Sequence, residues 1–335
     1  MAYPYFGKGL ERASTPAADI PTLDRSQIEN PSGYRASPDL THAVNVSLLL
    51  GMPLLVTGEP GTGKTQLAYA MGNEIGCTVF KFETKSTSQA RDLFYAFDAL
   101  RAFKKGSDYD PRDFITYQAL GLAILEAFPK DDARIAALLP PGIAHRGPRR
   151  SIVLIDEIDK APRDFPNDLL NEIDRLYFRV PELQNVGSPG AAPGEDTMPR
   201  RFRPIVVITS NSEKGLPDAF LRRCIYHDIP FPKTGELNEI AAERIVELRG
   251  GGPLLTEAIE LFEMLRGKDR TVSLKKKPST AELLNWLQVL IHRGAKPGDS
   301  LRQHKPLVAQ TLSTLIKNSD DSRAAQAFID SRWTA

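Results

Sequence analysis

One stretch of this chain, Gly58-Glu59-Pro60-Gly61-Thr62-Gly63-Lys64-Thr65, narrows the folds open to it more than any other. It follows Leu54-Leu55-Val56, an apolar run that reads as a buried strand. It leads into Gln66-Leu67-Ala68-Tyr69-Ala70-Met71, which reads as a helix. Strand, glycine-rich turn and helix in that order make a loop whose backbone N–H groups face an anion. Glycines admit backbone conformations that a side chain forbids, and the helix N-terminus adds partial positive charge. Lys64 would then reach the outer phosphates of a nucleoside triphosphate, and the Thr65 hydroxyl would ligate Mg²⁺. Gly58, Glu59, Pro60, Gly61, Thr62, Gly63, Lys64, Thr65 and Gln66 are thus the candidate nucleotide-binding residues.

A second strand, Ile152-Val153-Leu154-Ile155, ends in Asp156-Glu157. Ligands of open α/β sheets bind at the carboxyl ends of the strands, where these two carboxylates emerge. Asp156 is the candidate metal residue beside Thr65, and Glu157 the candidate for polarising an attacking water. An Asp-Glu pair at a strand end is also an ordinary solvated feature; its pairing with the upstream glycine loop favours chemistry. Asn211 ends a further strand signal, Ile208-Thr209-Ser210-Asn211, and either orients water near the γ-phosphate or simply forms a turn. Arg222 and Arg223 close a short helical pattern. Two readings stand for them: cations favoured at a helix C-terminus, or an arginine that stabilises transition-state charge in a neighbouring subunit.

The alternation of helical patterns with continuous apolar strands predicts an α/β fold, a parallel sheet covered by helices on both faces. Helices are expected over 38–50, 90–103, 117–128, 164–176 and 216–223, and strands over 53–57, 78–82, 151–155, 204–209 and 224–229. The segments 84–150 and 178–203 read as inserts, the second as a hairpin or loop. Composition changes at Pro230-Phe231-Pro232, after which only helical patterns follow, so a small all-α domain is expected over 232–335. Residues 1–33 read as an arm or linker, with the α/β core at 34–231.

At 335 residues the chain has room for both domains. Its net charge of +1 argues against a protein built chiefly to neutralise nucleic-acid phosphates. The two cysteines fit a reducing compartment. The most apolar stretch, 43–56, is broken by Asn45, Ser47, Gly51 and Pro53 and is too short to span a bilayer. A cytoplasmic protein without a membrane partner is expected.

The series Gly58–Thr65, Asp156-Glu157, Asn211 and Arg222-Arg223 resembles the Walker A, Walker B, sensor 1 and arginine-finger series of AAA+ ATPases. The phrases at 156–161 (Asp-Glu-Ile-Asp-Lys-Ala), 209–211 and 216–224 (Leu-Pro-Asp-Ala-Phe-Leu-Arg-Arg-Cys) are similar to the MoxR branch. The resemblance implies a P-loop AAA+ core sheet with an α-helical lid, and a homo-oligomeric ring, usually a hexamer, with ATP and Mg²⁺ between subunits. It also implies a helix-two insert in 84–150, and chaperone-like work on a client protein, often with a partner containing a von Willebrand factor A (VWA) domain. Arg223 aligns best with the finger, with Arg222 in support. Where the family often carries a sensor 2 arginine, this chain has Lys275-Lys276-Lys277-Pro278-Ser279. Lys277 fills that role or nothing does, and the run also reads as a solvated basic surface. A motor or switch in a nucleic-acid-linked or defence system is the competing expectation.

Overall fold

Continuous apolar runs make central strands, and three of them fill the middle of the sheet here. In the computed structural model, which describes residues 23, 30–105, 109–140, 145–189, 198–212, 215–268, 272 and 274–333, the chain forms two compact units. One comprises residues 36–230; the other joins 231–335 with the segment up to Arg35.

In the first unit, α1 (Pro38–Leu50) precedes β1 (Leu54–Gly58). The Ser37 hydroxyl accepts the Leu40 N–H at its start, and left-handed Gly51 ends it. Helix α2 (Lys64–Ile75) leads to β2 (Thr78–Glu83). Next come β3 (Tyr95–Phe97), α3 (Ala99–Lys105), β4 (Ile115–Tyr117), α4 (Ala119–Leu125) and α5 (Ala133–Leu138). Strand β5 (Ser151–Asp156) and α6 (Phe165–Arg175) are followed by a two-residue pair, β6 (Arg179–Val180) and β7 (Val186–Gly187). Strand β8 (Ile205–Thr209), α7 (Asp218–Leu221) and β9 (Ile225–Ile229) complete the unit.

The parallel sheet runs β2-β5-β8-β1-β9. All six residues of β5 and all five of β8 are buried, whereas the edge strands β2 and β9 are part-exposed. On one face, Leu55, Val153, Ile155 and Ile208 pack with Leu120 and Ile124 of α4 and Leu169 of α6. Burying each such side chain contributes about 1.5–3 kcal/mol. The other face receives Leu67 and Met71 of α2, both buried.

Three expectations change. The helix expected over 90–103 is divided, because Tyr95 and Phe97 pair antiparallel with Tyr117 and Ile115. Aromatic residues favour such a pleated pairing over their local helical spacing. A helix restarts at Ala99, where the Asp98 carboxylate accepts the Arg101 N–H at 2.9 Å. For the same reason the second helix starts at Ala119 and not at Tyr117. Nor is 84–150 an insertion throughout: Leu120, Ile124, Leu125, Ile135 and Leu138 are core residues of the sheet unit. The 178–203 segment contains the short β6–β7 pair; residues 190–197 lie outside the described residues.

The second unit is helical: α8 (Thr234–Arg244), α9 (Pro253–Leu265), α10 (Thr280–His292), α11 (Lys305–Thr311) and α12 (Ser319–Arg332). Its core centres on Trp286, Phe262, Leu254, Leu287 and Leu301, and the Trp286 indole N–H donates to Thr311 Oγ1 at 3.0 Å. Ser279 caps α10 in a reciprocal box with Glu282. The Tyr34-Arg35 pair belongs to this unit: Arg35 pairs with Glu239 and Glu243 of α8, both at 3.5 Å. Burial, opposed by Arg244, pushes the Tyr34 phenol up to about 12. Among the described residues, no helix is long and apolar enough to cross a membrane.

Candidate functional site

The loop from Gly58 to Gly63 leaves the carboxyl end of β1 and turns into α2. Its glycines are required by geometry. At Gly58, φ is +142° and a Cβ would lie 2.5 Å from the Ile229 carbonyl oxygen. Gly63 takes the N-cap position of α2 at φ 91°, where an L side chain is strained, and no side chain caps the helix. The first-turn N–H groups of α2 therefore keep the orphan character that binds anions. Within the loop, Thr62 Oγ1 donates to the Glu59 carbonyl at 2.9 Å. Pro60 and Gly61 form the outward turn, with Gly61 at φ 80°. Gln66, in the first turn of α2, has a buried side-chain oxygen without a partner among the described residues.

Lys64 is buried. Its ammonium donates to the Gly58 carbonyl at 2.8 Å and the Glu59 carbonyl at 2.9 Å. An ammonium carries three donors, so one remains for a phosphate oxygen. Burial lowers its pKa, opposed by the carboxylates of Asp159, Asp156, Glu157 and Asp228. The lysine thus braces the loop from inside as well as supplying its charge.

Asp156 is the hub. Its Oδ1 accepts Thr65 Oγ1 at 2.9 Å and Thr209 Oγ1 at 2.7 Å, and its Oδ2 lies 2.9 Å from Lys81 Nζ. Burial alone would raise the Asp156 pKa. The hydrogen bonds from Thr209, Lys81 and Thr65 outweigh it, and the net shift is downward. The carboxyl therefore stays ionised. With its O–H donated in a hydrogen bond to Asp156, Thr65 Oγ1 keeps its lone pairs for a hard cation. A hydroxyl and a carboxylate are the oxygen donors Mg²⁺ takes alongside substrate phosphates, so the residues fit that ion.

Glu157 follows in the left-handed region at φ 57°, a conformation that costs about 1–3 kcal/mol outside glycine. Thr209 holds it: the Glu157 N–H donates to Thr209 Oγ1 at 2.9 Å. The Glu157 carboxylate is paired with Lys160 three residues on. Asn211 stands at the end of β8 on the same edge. Its N–H donates to Asp159 Oδ1 at 3.0 Å, and Ser210 Oγ donates to the same oxygen at 3.2 Å.

Arg222 and Arg223 lie elsewhere. They precede β9, whose first residue Ile225 is in register with Leu54, while Ile229 is in register with Gly58. Four strand steps of ~3.3 Å, or ~13 Å, separate that end of the sheet from the glycine loop. Both side chains are exposed, and neither guanidinium has a partner among the described residues. In the helical unit, Lys275 and Lys276 donate their N–H groups to Asp321 at 2.8 and 3.0 Å, and the Lys275 ammonium pairs with Asp320. Lys277 is exposed and has no partner among the described residues.

Sequence reasoning missed Lys81, Thr209, Asp159 and Lys160 as members of this edge. Thr209 sits inside a recognised strand signal, and Asp159 and Lys160 inside the 156–161 phrase. Lys81 has no local signal at all.

A family model described as "ATPase family associated with various cellular activities (AAA)" matches residues 54–232. No curated protein matches the chain. Solved structures that resemble it include Thermotoga maritima RuvB, described as a Holliday junction branch migration motor. That match has 16% identity and a TM-score of 0.44 and covers 85% of this chain and 69% of that one. A RuvB variant of that organism gives 18% identity and a TM-score of 0.45, covering 84% of this chain and 69% of that one.

Proposed function

The chain belongs to the AAA family of ATPases, and from that premise we propose that it is a MoxR-type machine that hydrolyses ATP between subunits of a ring to remodel or mature a client protein. The observation that carries this reading is the linked set Thr65–Asp156–Thr209–Glu157, which ties the glycine loop, the acidic pair and the β8 strand into one edge.

The loop amides and Lys64 bind the β- and γ-phosphates. Thr65 and Asp156 hold Mg²⁺, which neutralises charge on the phosphate oxygens when bound. Glu157 orients a water so that its oxygen bonds to the γ-phosphorus as the bridging bond to the β-phosphate breaks. Asn211 steadies that water or the γ-phosphate. Arg223, with Arg222 beside it, reaches the neighbouring subunit's nucleotide and stabilises developing charge. Their place at the opposite end of the sheet from their own loop supports action in trans. A hexamer, a partner with a VWA domain and a protein client complete the reading, and Lys277 takes the sensor 2 role or no residue does.

The test is a Glu157→Gln variant of the full chain. Turnover falls by about 10²–10⁴ while ATP is retained in an assembled ring, and affinity capture with ATP recovers a discrete client protein. Unchanged turnover removes Glu157 from the mechanism. The competing reading is a nucleic-acid motor, and DNA-stimulated hydrolysis that collapses with salt would replace the client reading with it.

A further inference from the structure

Glu83 ends β2 directly in register with Asp156 at the end of β5. Two carboxylates facing each other on neighbouring strands repel. Lys81 lies two residues before Glu83 and so on the same face of the sheet. Its ammonium reaches both, 2.9 Å to Asp156 Oδ2 and 3.1 Å to Glu83 Oε1. The Asp156 side chain is 7% exposed, Lys81 31% and Glu83 66%. The buried carboxylate is therefore balanced by a half-buried lysine, whose second anchor stands in solvent.

We infer that Lys81 is a positioning residue that sets how strongly nucleotide binding depends on Mg²⁺, by sharing the charge of Asp156 with the ion. This rests on the nucleotide reading above. Asp156 offers one negative charge at the metal position, and any cation already bound to it weakens the field a divalent ion meets there. The same ammonium offsets Asp156 against the nucleotide's phosphates when Mg²⁺ is scarce. Lys81 thus lowers the penalty for binding without metal and lowers the gain from adding it. Glu83 works in the opposite sense, because its carboxylate draws on the lysine's charge. Lys81 touches neither substrate nor reacting atoms; it acts through Asp156.

The experiment measures the Kd of ADP by calorimetry on the full chain, once in excess Mg²⁺ and once in EDTA. The ratio of the two values is compared among wild type, Lys81→Met, Lys81→Arg and Glu83→Gln. Lys81→Met is expected to raise the EDTA-to-Mg²⁺ ratio by about tenfold, the scale of one unit charge a few ångströms away in a half-exposed site. Lys81→Arg restores the ratio. Glu83→Gln, an exposed change that leaves packing intact, lowers it by a smaller factor. A purely structural lysine would cost thermal stability and leave the ratio constant, which overturns the inference while the nucleotide reading stands. Wild-type protein that binds no ADP overturns both. If Lys81→Met does not fold, the sign of the Glu83→Gln change decides.

Discussion

The two ends of the central sheet treat charge in opposite ways. At the carboxyl end, Lys64, Lys81, Asp156, Glu157, Asp159 and Lys160 all have partners within their own chain. At the entry to β9, Arg222 and Arg223 are exposed and have no partner among the described residues. Buried charge is tolerated only when paired, so the carboxyl edge is built as a closed network of ion pairs and hydrogen bonds. An exposed guanidinium costs little, because water satisfies its donors. The contrast teaches that charge at the carboxyl edge is fixed by pairing within the chain, whereas at the entry to β9 it faces solvent.

The largest expected effect breaks or makes that contrast. Arg223→Ala should lower ATP turnover by about 10³–10⁵ with ADP affinity nearly unchanged. Mixing it with Glu157→Gln subunits should restore activity at interfaces where one intact arginine meets one intact glutamate. Turnover that survives in Arg223→Ala would assign the function to Arg222 or place it elsewhere.

A mid-sized effect sharpens the closed end. Thr209→Val keeps the shape of a residue that is 1% exposed but removes its bonds to Asp156 and to the Glu157 N–H. It should cost about 1–3 kcal/mol of unfolding free energy in urea and reduce turnover through a misplaced Glu157. A variant as stable and as active as wild type would show that the hydroxyl does not hold the acidic turn.

The smallest effect tests burial at the start of β9. Burial and the nearby Asp174 push the Cys224 thiol up to about 12, so thiolate is scarce at any pH well below that value. Burial also raises Cys77, with Arg150 opposing it, but that residue is half-exposed. A thiol reagent at pH 8 should label Cys77 first and Cys224 only on unfolding. Equal rates would mean that this end of the sheet opens freely.

The positions of the glycine loop, the acidic pair and the two arginines on their elements were legible because each depends on neighbours within a few residues. A glycine is needed where φ is positive, and a carboxylate follows an apolar strand. The helices of the second unit were legible through their 3.6-residue spacing. What failed was local spacing where a distant strand competed, as at Tyr95 and Phe97, whose pairing with β4 no window of sequence reveals. Likewise, the apolar pattern at 117–128 announces a helix but not that it covers β2 and β5.

The chain's own order of residues therefore determined which groups stand as candidates for chemistry: loop amides, a lysine, a threonine and two carboxylates, each set by short-range backbone geometry. Only the tertiary structure decided which charges meet. Strand order is a long-range choice, made by the packing of buried faces, and it places β2 against β5. That single adjacency sets Lys81 and Glu83 beside Asp156, although more than seventy residues of chain separate them.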